Sequence, residues 1–144
     1  SLNCWKKSER MALSSMKKFE NFCKTLDNLR LVRNLNEPYD VLTLTGSAAL
    51  FEICFEQAWK AMKEILQEHG YGEGQTGSPK QILKLAYSAG MIQDEKKWLA
   101  MLVSRNDVTH SYNEEIALAL VKRVKEEYID LLDVLRVELE SRWL

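Results

Sequence analysis

Across most of this chain apolar residues return every three or four positions with charged residues between them, the spacing that lays one apolar stripe along an α-helix. Met16, Phe19, Phe22, Cys23, Leu26 and Leu29 do so over about 6 to 33, and Leu44, Ala48, Phe51, Phe55, Ala58, Trp59, Met62 and Leu66 over about 41 to 69. Nowhere do β-branched and polar residues alternate over the length of a strand, so a sheet has nothing to form from. The chain must bury helix against helix.

Punctuation between the stripes sets the number of helices. Residues 34 to 38 interrupt the first two, and Gly70 is placed to end the second in a left-handed turn. Ser78, Pro79 and Gln81 supply an N-cap serine, a proline at the first helical position and the return partner of a capping box, so a third, short helix opens there and closes at Gly90. Asp94 caps a fourth helix through Trp98, Met101 and Leu102. Asn113, Glu114 and Glu115 start a fifth, acidic in its first turn as the helix dipole prefers, which runs through Val121, Val124, Tyr128, Leu131 and Leu135 to near 142. With no internal repeat and no linker-like segment, the expectation is all-α: one domain over 1–144, an up-and-down bundle of about five helices, two or three of them long.

At 144 residues such a bundle can bury roughly 70% of its extended-chain surface without a metal or disulfide to hold it. The 20 Lys and Arg nearly balance the 21 Asp and Glu, which excludes an overall basic field for sequence-independent nucleic-acid binding; any RNA contact has to be local. Cys4, Cys23 and Cys54 are odd in number, far apart and in no CxxC spacing, the pattern of reduced thiols in a cytoplasm. The first residues lack the basic and apolar regions of a secretory signal, and the longest apolar run, 116 to 121, is far too short to span a bilayer. A cytoplasmic protein without membrane attachment is expected.

One motif misleads. Gly72, Gly74 and Gly77 match the dinucleotide-binding pattern of glycines letter for letter, but that pattern works only after a strand in a βαβ unit, and a helix precedes it here. The segment 70 to 77 reads instead as a flexible loop, and no cofactor is expected. Of the two histidines, His69 and His110, neither has a second His or Cys at ligand spacing, so no metal site is expected. His69, in the last turn of a helix, is explained by the helix dipole.

His110 lies in a dense polar cluster with Ser104, Arg105, Asn106, Asp107, Thr109, Ser111, Tyr112 and Asn113. Two readings are open. The commoner arrangement is a helix-terminus cluster in which Arg105 pairs with a nearby acid. In the other, Arg105 and His110 converge on one pocket. On an unbroken helix five residues put them about 140° apart, so convergence within the chain requires a break at Asn106 and Asp107, both turn formers. Such a pair suits metal-independent phosphodiester chemistry: the imidazole titrates near neutrality and moves a proton, the guanidinium stabilises charge on phosphate oxygens, and an RNA 2′-hydroxyl is the natural nucleophile.

Arg105, His110 and Tyr112 stand as R-x4-H-x-Y, which resembles the signature of HEPN domains. Flanking stretches resemble its subgroup of nucleotidyltransferase substrate-binding proteins, the HepT-like partners of minimal nucleotidyltransferases: Phe51, Glu52, Phe55, Glu56, Ala58, Trp59, Lys60 and Lys63; Ser78 and Pro79; 89 to 92; and Trp98, Leu99 and Met101. The resemblance covers about 44 to 112 and shows no departure from the signature. It implies a five-helix bundle that forms a homodimer and partners a separate minimal nucleotidyltransferase. It further implies that some members are metal-independent RNase toxins, with Arg105 and His110 as candidate catalytic residues in a cleft at the dimer interface, and that in certain toxin–antitoxin pairs AMP is transferred to the tyrosine equivalent to Tyr112. Asn106, Asp107, Tyr112, Glu52 and Glu56 are candidate supporting or substrate-binding residues. Glu52 and Glu56, a like-charge pair four apart, prompt the expectation that one of them orients Arg105.

Two functions are therefore expected to compete. The first is an accessory subunit that binds the nucleotidyltransferase and helps present its substrate, with RNA or a nucleotide in a local cleft. The second is an RNase using Arg105 and His110, neutralised by AMP transfer to Tyr112. Aromatic and apolar faces in excess of what one small bundle buries favour the homodimer.

Overall fold

The computed structural model describes residues 2–72 and 77–144, and every secondary-structure element among them is helical. Helix α1 spans Leu2–Arg30 and tightens into a 3₁₀ turn over Leu31–Asn34. Its stripe of Phe19, Phe22, Leu26 and Leu29 is buried as the spacing requires, whereas Leu13 and Met16 remain exposed. The chain leaves helical geometry at Leu35 and passes a cis peptide before Pro38.

Asp40 then opens α2, Val41–Glu68, by accepting the Thr43 backbone N–H at 2.7 Å. That bond favours the ionised carboxylate and holds the Asp40 pKa below its ordinary value. Buried residues of α2 occupy its whole inner side, from Leu44 through Phe51, Phe55 and Met62 to Leu66. It ends in a Schellman turn: Gly70 takes φ +84° and the Tyr71 N–H reaches back to the Leu66 carbonyl at 2.9 Å. The loop expected over 70 to 77, with the middle of its misleading glycine pattern, falls largely on 73–76, outside the described residues. What precedes it is a helix.

Helix α3, Pro79–Ser88, begins with the full capping box of Ser78 and Gln81 and ends in a second Schellman turn at Gly90, where Met91 N–H donates to the Ala86 carbonyl at 2.8 Å. Asp94 caps α4, Glu95–His110, and Asn113 caps the last helix by accepting the Ile116 N–H at 2.8 Å. That last rod consists of Glu114–Arg123, a π-helical stretch Val124–Tyr128, Ile129–Glu138 and a second π-helical stretch Leu139–Trp143, joined without leaving right-handed helical angles; together they are α5. In the first π-helical stretch the Lys125 carbonyl is taken by the Arg33 guanidinium.

Helix α2 packs on each of the other four, so it forms the centre of the bundle, and α1 runs against α5. Arg30 with Asp133, Arg33 with Asp130 and Arg136 with Asp27 pair along the α1–α5 seam. Half-exposed pairs of this kind are worth at most about 1 kcal/mol each, so the seam is held mainly by its apolar side chains. Cys54 sits in this core, and burial pushes its thiol up to about 12. No helix among the described residues is long and apolar enough to cross a membrane.

The condition for Arg105 and His110 to converge within one chain is not met. Helix α4 does not break at Asn106 and Asp107; it continues to His110, and the Ser111 N–H still reaches the Asp107 carbonyl at 2.9 Å. The stripe of Met101, Ser104 and Val108 is buried on the inner side, and that packing outweighs the turn preference of two residues whose side chains are exposed. The turn comes at 111 to 113 instead.

Candidate functional site

On the outer side of α2, Thr45, Glu52 and Glu56 fall seven and four residues apart and therefore share a face. The C-terminal half of α4 lies across it. Thr109 Oγ1 donates to Glu52 Oε2 at 3.2 Å, and the Tyr112 hydroxyl is 2.8 Å from Thr45 Oγ1. These two contacts fasten the end of α4 to two successive positions of the α2 face. They hold the Tyr112 ring at the surface, 42% exposed, with its oxygen fixed.

Arg105, one turn before Thr109, is half-buried with its guanidinium carbon 5.8 Å from the centroid of the Phe55 ring. Its Nε is buried without a hydrogen-bond partner, and among the described residues no carboxylate lies within ion-pair distance. The expectation that Glu52 or Glu56 orients Arg105 is not met, and neither is the expectation of an Arg105 ion pair. Glu52 takes Thr109; Glu56 accepts the Trp59 indole N–H at 2.9 Å and pairs with Lys60 at 3.3 Å. The like charges of Glu52 and Glu56 are thus eased by neutral donors and a lysine on the same helix. Phe55, not a carboxylate, positions the guanidinium, through its π-face.

His110 is exposed. Because α4 is unbroken, it points about 140° away from Arg105 around the axis. Asn106 and Asp107 share the solvent side of α4 with it and with Val103, which is 56% exposed. A single chain therefore brings Arg105, Thr109, Glu52, Thr45 and Tyr112 together, and leaves His110, Asn106 and Asp107 on an adjacent face. The other histidine, His69, caps α2 and sits 2.7 Å through Nε2 from the Trp143 carbonyl, so it fixes the end of α5. Among the described residues no three His, Cys, Asp or Glu side chains gather as a metal site.

Beneath the site α4 is pinned to α5. Ser104 is buried, its Oγ is 2.7 Å from the Tyr128 hydroxyl, and Arg123 donates to the same Oγ at 3.2 Å. Tyr128→Phe removes one member of this buried set, and its expected cost is about 1–2 kcal/mol in urea unfolding. A variant as stable as the parent would show that the network does not hold α4 in place.

Sequence reasoning missed Thr45, Arg123 and the role of Phe55. Thr45 had a signal, since it stands seven residues before Glu52 on the same helical face. Arg123 and Phe55 had none, because their contacts cross between helices distant in the chain.

Chemically, a guanidinium on an aromatic face with no acid to neutralise it presents charged donors to an incoming anion, and its planar fork suits phosphate oxygens. The Tyr112 phenol is exposed, with its oxygen held by Thr45.

The chain is similar to known proteins in both sequence and fold. Residues 16–141 match the family described as nucleotidyltransferase substrate binding protein like. A Haemophilus influenzae protein named probable ribonuclease HepT is 33% identical over 98 residues, 65% of this chain and 67% of that protein. A crystal structure of a Thermus thermophilus protein superposes with a TM-score of 0.72 at 30% identity, over 82% of this chain and 98% of the other. A structure from Haemophilus influenzae, described as revealing the fold of a substrate binding domain of a nucleotidyltransferase, gives a TM-score of 0.63 at 22% identity, over 89% and 98% of the two chains. At that identity the likeness shows the fold alone.

Proposed function

Since this chain belongs to the family of nucleotidyltransferase substrate-binding-like proteins, we propose that it is the helical partner of a separate minimal nucleotidyltransferase and meets it at the Arg105–Tyr112 edge of α4. The observation that carries this reading is Tyr112: its ring is 42% exposed while its oxygen is held by Thr45. A phenol so placed is an acceptor for AMP. Its oxygen attacks the α-phosphorus of ATP, the bond to pyrophosphate breaks, and the phenolic proton passes to a base. Arg105, without an acid of its own, steadies the phosphate. Co-expression with a tagged minimal nucleotidyltransferase encoded beside this chain tests the pairing. The expected result is stoichiometric co-purification through gel filtration; elution of the two proteins apart contradicts it.

A second reading is favoured by the relative named probable ribonuclease HepT and by the uncompensated Arg105. Here the chain cleaves RNA without a metal: His110 takes the 2′-hydroxyl proton, the 2′-oxygen attacks the adjacent phosphorus, the bond to the 5′-oxygen breaks, and Arg105 stabilises the charge on phosphorus. Solvent water gives a proton to the departing 5′-oxygen, His110 returns its own proton to solvent, and the other fragment ends in a 2′,3′-cyclic phosphate. Because α4 is unbroken, Arg105 and His110 of one chain face apart, so this reading requires a homodimer in which Arg105 works with His110 of the partner subunit. Val103 and Ile53, 56% and 50% exposed beside the site, offer a second copy apolar area to bury. Light scattering at micromolar concentration is expected to give the mass of a dimer. A monomer leaves the second reading without an active site.

A further inference from the structure

The polar face of α2 does not end at Glu56. Trp59, Lys60, Lys63, Glu64 and Gln67 continue it toward the end of the helix, and with Lys18 of α1 they line a groove of about 290 Å³. The family-like motif in the sequence contains Trp59, Lys60 and Lys63, yet its fully buried members are Phe51, Phe55 and Ala58; Trp59 packs against the edge of the core and the two lysines stay outside it. The Trp59 indole is half-buried and its N–H is committed to Glu56, which fixes the ring. Lys63 rests against Gly77, a buried residue at φ +70°, where an added Cβ would lie 3.0 Å from Lys63 Cε and 3.3 Å from Nζ. The positive φ is what favours glycine there, and the end of the lysine side chain packs over it. Lys60 shares Glu56, but among the described residues neither Lys18 nor Lys63 has an ion-pair partner.

Two uncompensated ammonium groups and a third partly compensated one, beside a fixed aromatic ring, form the combination that neutralises a phosphate backbone and stacks a base. The net charge of −1 means that this is a local feature and not part of a general basic surface. The single carboxylate lining the groove, Glu64, can accept from ribose hydroxyls, the groups that separate RNA from DNA. The groove also shares its helix face with the Arg105 site: Thr45, Glu52, Glu56, Trp59 and Lys63 follow one another at steps of seven, four, three and four. Glu52 and Lys63 are separated by about 16 Å along the axis, the span of a few nucleotides.

We infer that the Lys18, Trp59, Lys60 and Lys63 groove holds the backbone and one base of a single-stranded RNA, a few nucleotides away from a phosphate at Arg105. This inference rests on the RNA-directed reading of the Arg105 site.

The test is fluorescence polarisation of a labelled 12-nucleotide single-stranded RNA with the full chain, in a His110→Ala background that prevents cleavage. Lys60→Gln with Lys63→Gln is expected to weaken binding at least tenfold at low salt, and to reduce the slope of log K against log salt by about 1.4, two backbone contacts' worth for a single strand. Trp59→Leu is expected to weaken it about tenfold; Lys63→Arg is expected to retain it, and DNA of the same sequence to bind less tightly. Circular dichroism verifies that each variant is folded. RNA binding that is lost in Arg105→Ala but indifferent to Lys60 and Lys63 overturns the groove and leaves the RNA-directed reading standing. Competition by AMP as strong, mole for mole, as that of the 12-mer overturns it in favour of a mononucleotide pocket. Parent protein that binds no RNA removes the underlying reading together with the inference.

Discussion

Arg105→Ala is expected to lower metal-free RNA cleavage by a hundredfold to a thousandfold, the loss typical when one preorganised charged donor is removed from a developing oxyanion. The prediction follows from what Arg105 lacks. A guanidinium paired with a carboxylate would lose an ion pair on truncation, and the protein would lose stability. This one lies on the Phe55 ring with no acid near it, so truncation forfeits about 0.5–1 kcal/mol of cation–π contact and should leave the melting temperature nearly unchanged. His110→Ala is expected to abolish cleavage to a similar degree, by removal of the proton carrier. Cleavage measured with excess chelator, beside thermal melts of each variant, checks both parts. An Arg105→Ala protein that cleaves like its parent removes the RNase reading. One that melts many degrees lower shows instead that Arg105 is structural.

The largest effect on stability is expected at Phe51. It is fully buried at the centre of α2, 5.5 Å from the Tyr128 ring in a stacked arrangement and 6.1 Å from Phe55. Truncation to alanine removes an aromatic side chain from the point where α2 and α5 meet and leaves a cavity that a close-packed bundle cannot fully close. The expected cost is about 3–5 kcal/mol, a large fraction of the roughly 5–15 kcal/mol that keeps a domain folded. Urea unfolding should show an earlier midpoint at unchanged slope. A loss under about 1 kcal/mol would mean that the α2–α5 contact is not the centre of the core.

The helix ends were legible because their signals are local. Ser78 with Gln81, Asp94, Asn113 and the glycines at 70 and 90 each act within a few residues, and each does in the structure what its chemistry requires. Asn106 and Asp107 show where local signals lose. Their turn preference is real, but Val108 is only 2% exposed on the far side of the same helix, and the gain from packing exceeds a preference of a few tenths of a kcal/mol. The site was legible as a motif and not as a geometry. Arg105 and His110 stand out in a dense polar cluster, and Tyr112 joins them only through the resemblance to the HEPN signature. That Arg105 would stand on Phe55, that Thr45 would hold Tyr112, and that Glu52 would take Thr109 are decided by how α4 crosses α2, which no stretch of sequence encodes by itself. The unbroken α4 also changes the chemical question, because it places Arg105 and His110 on different faces and makes any joint action a property of two chains.

The central claim, that Tyr112 is where a minimal nucleotidyltransferase acts on this chain, is tested most directly by intact-mass measurement after incubation with that enzyme, ATP and magnesium. The account predicts a gain of the mass of AMP that maps to Tyr112, is absent in Tyr112→Phe, and is reduced in Thr45→Val, which loses the hydroxyl that fixes the phenol. An unmodified chain in the presence of an active enzyme, or an AMP group carried equally well by Tyr112→Phe, would contradict it.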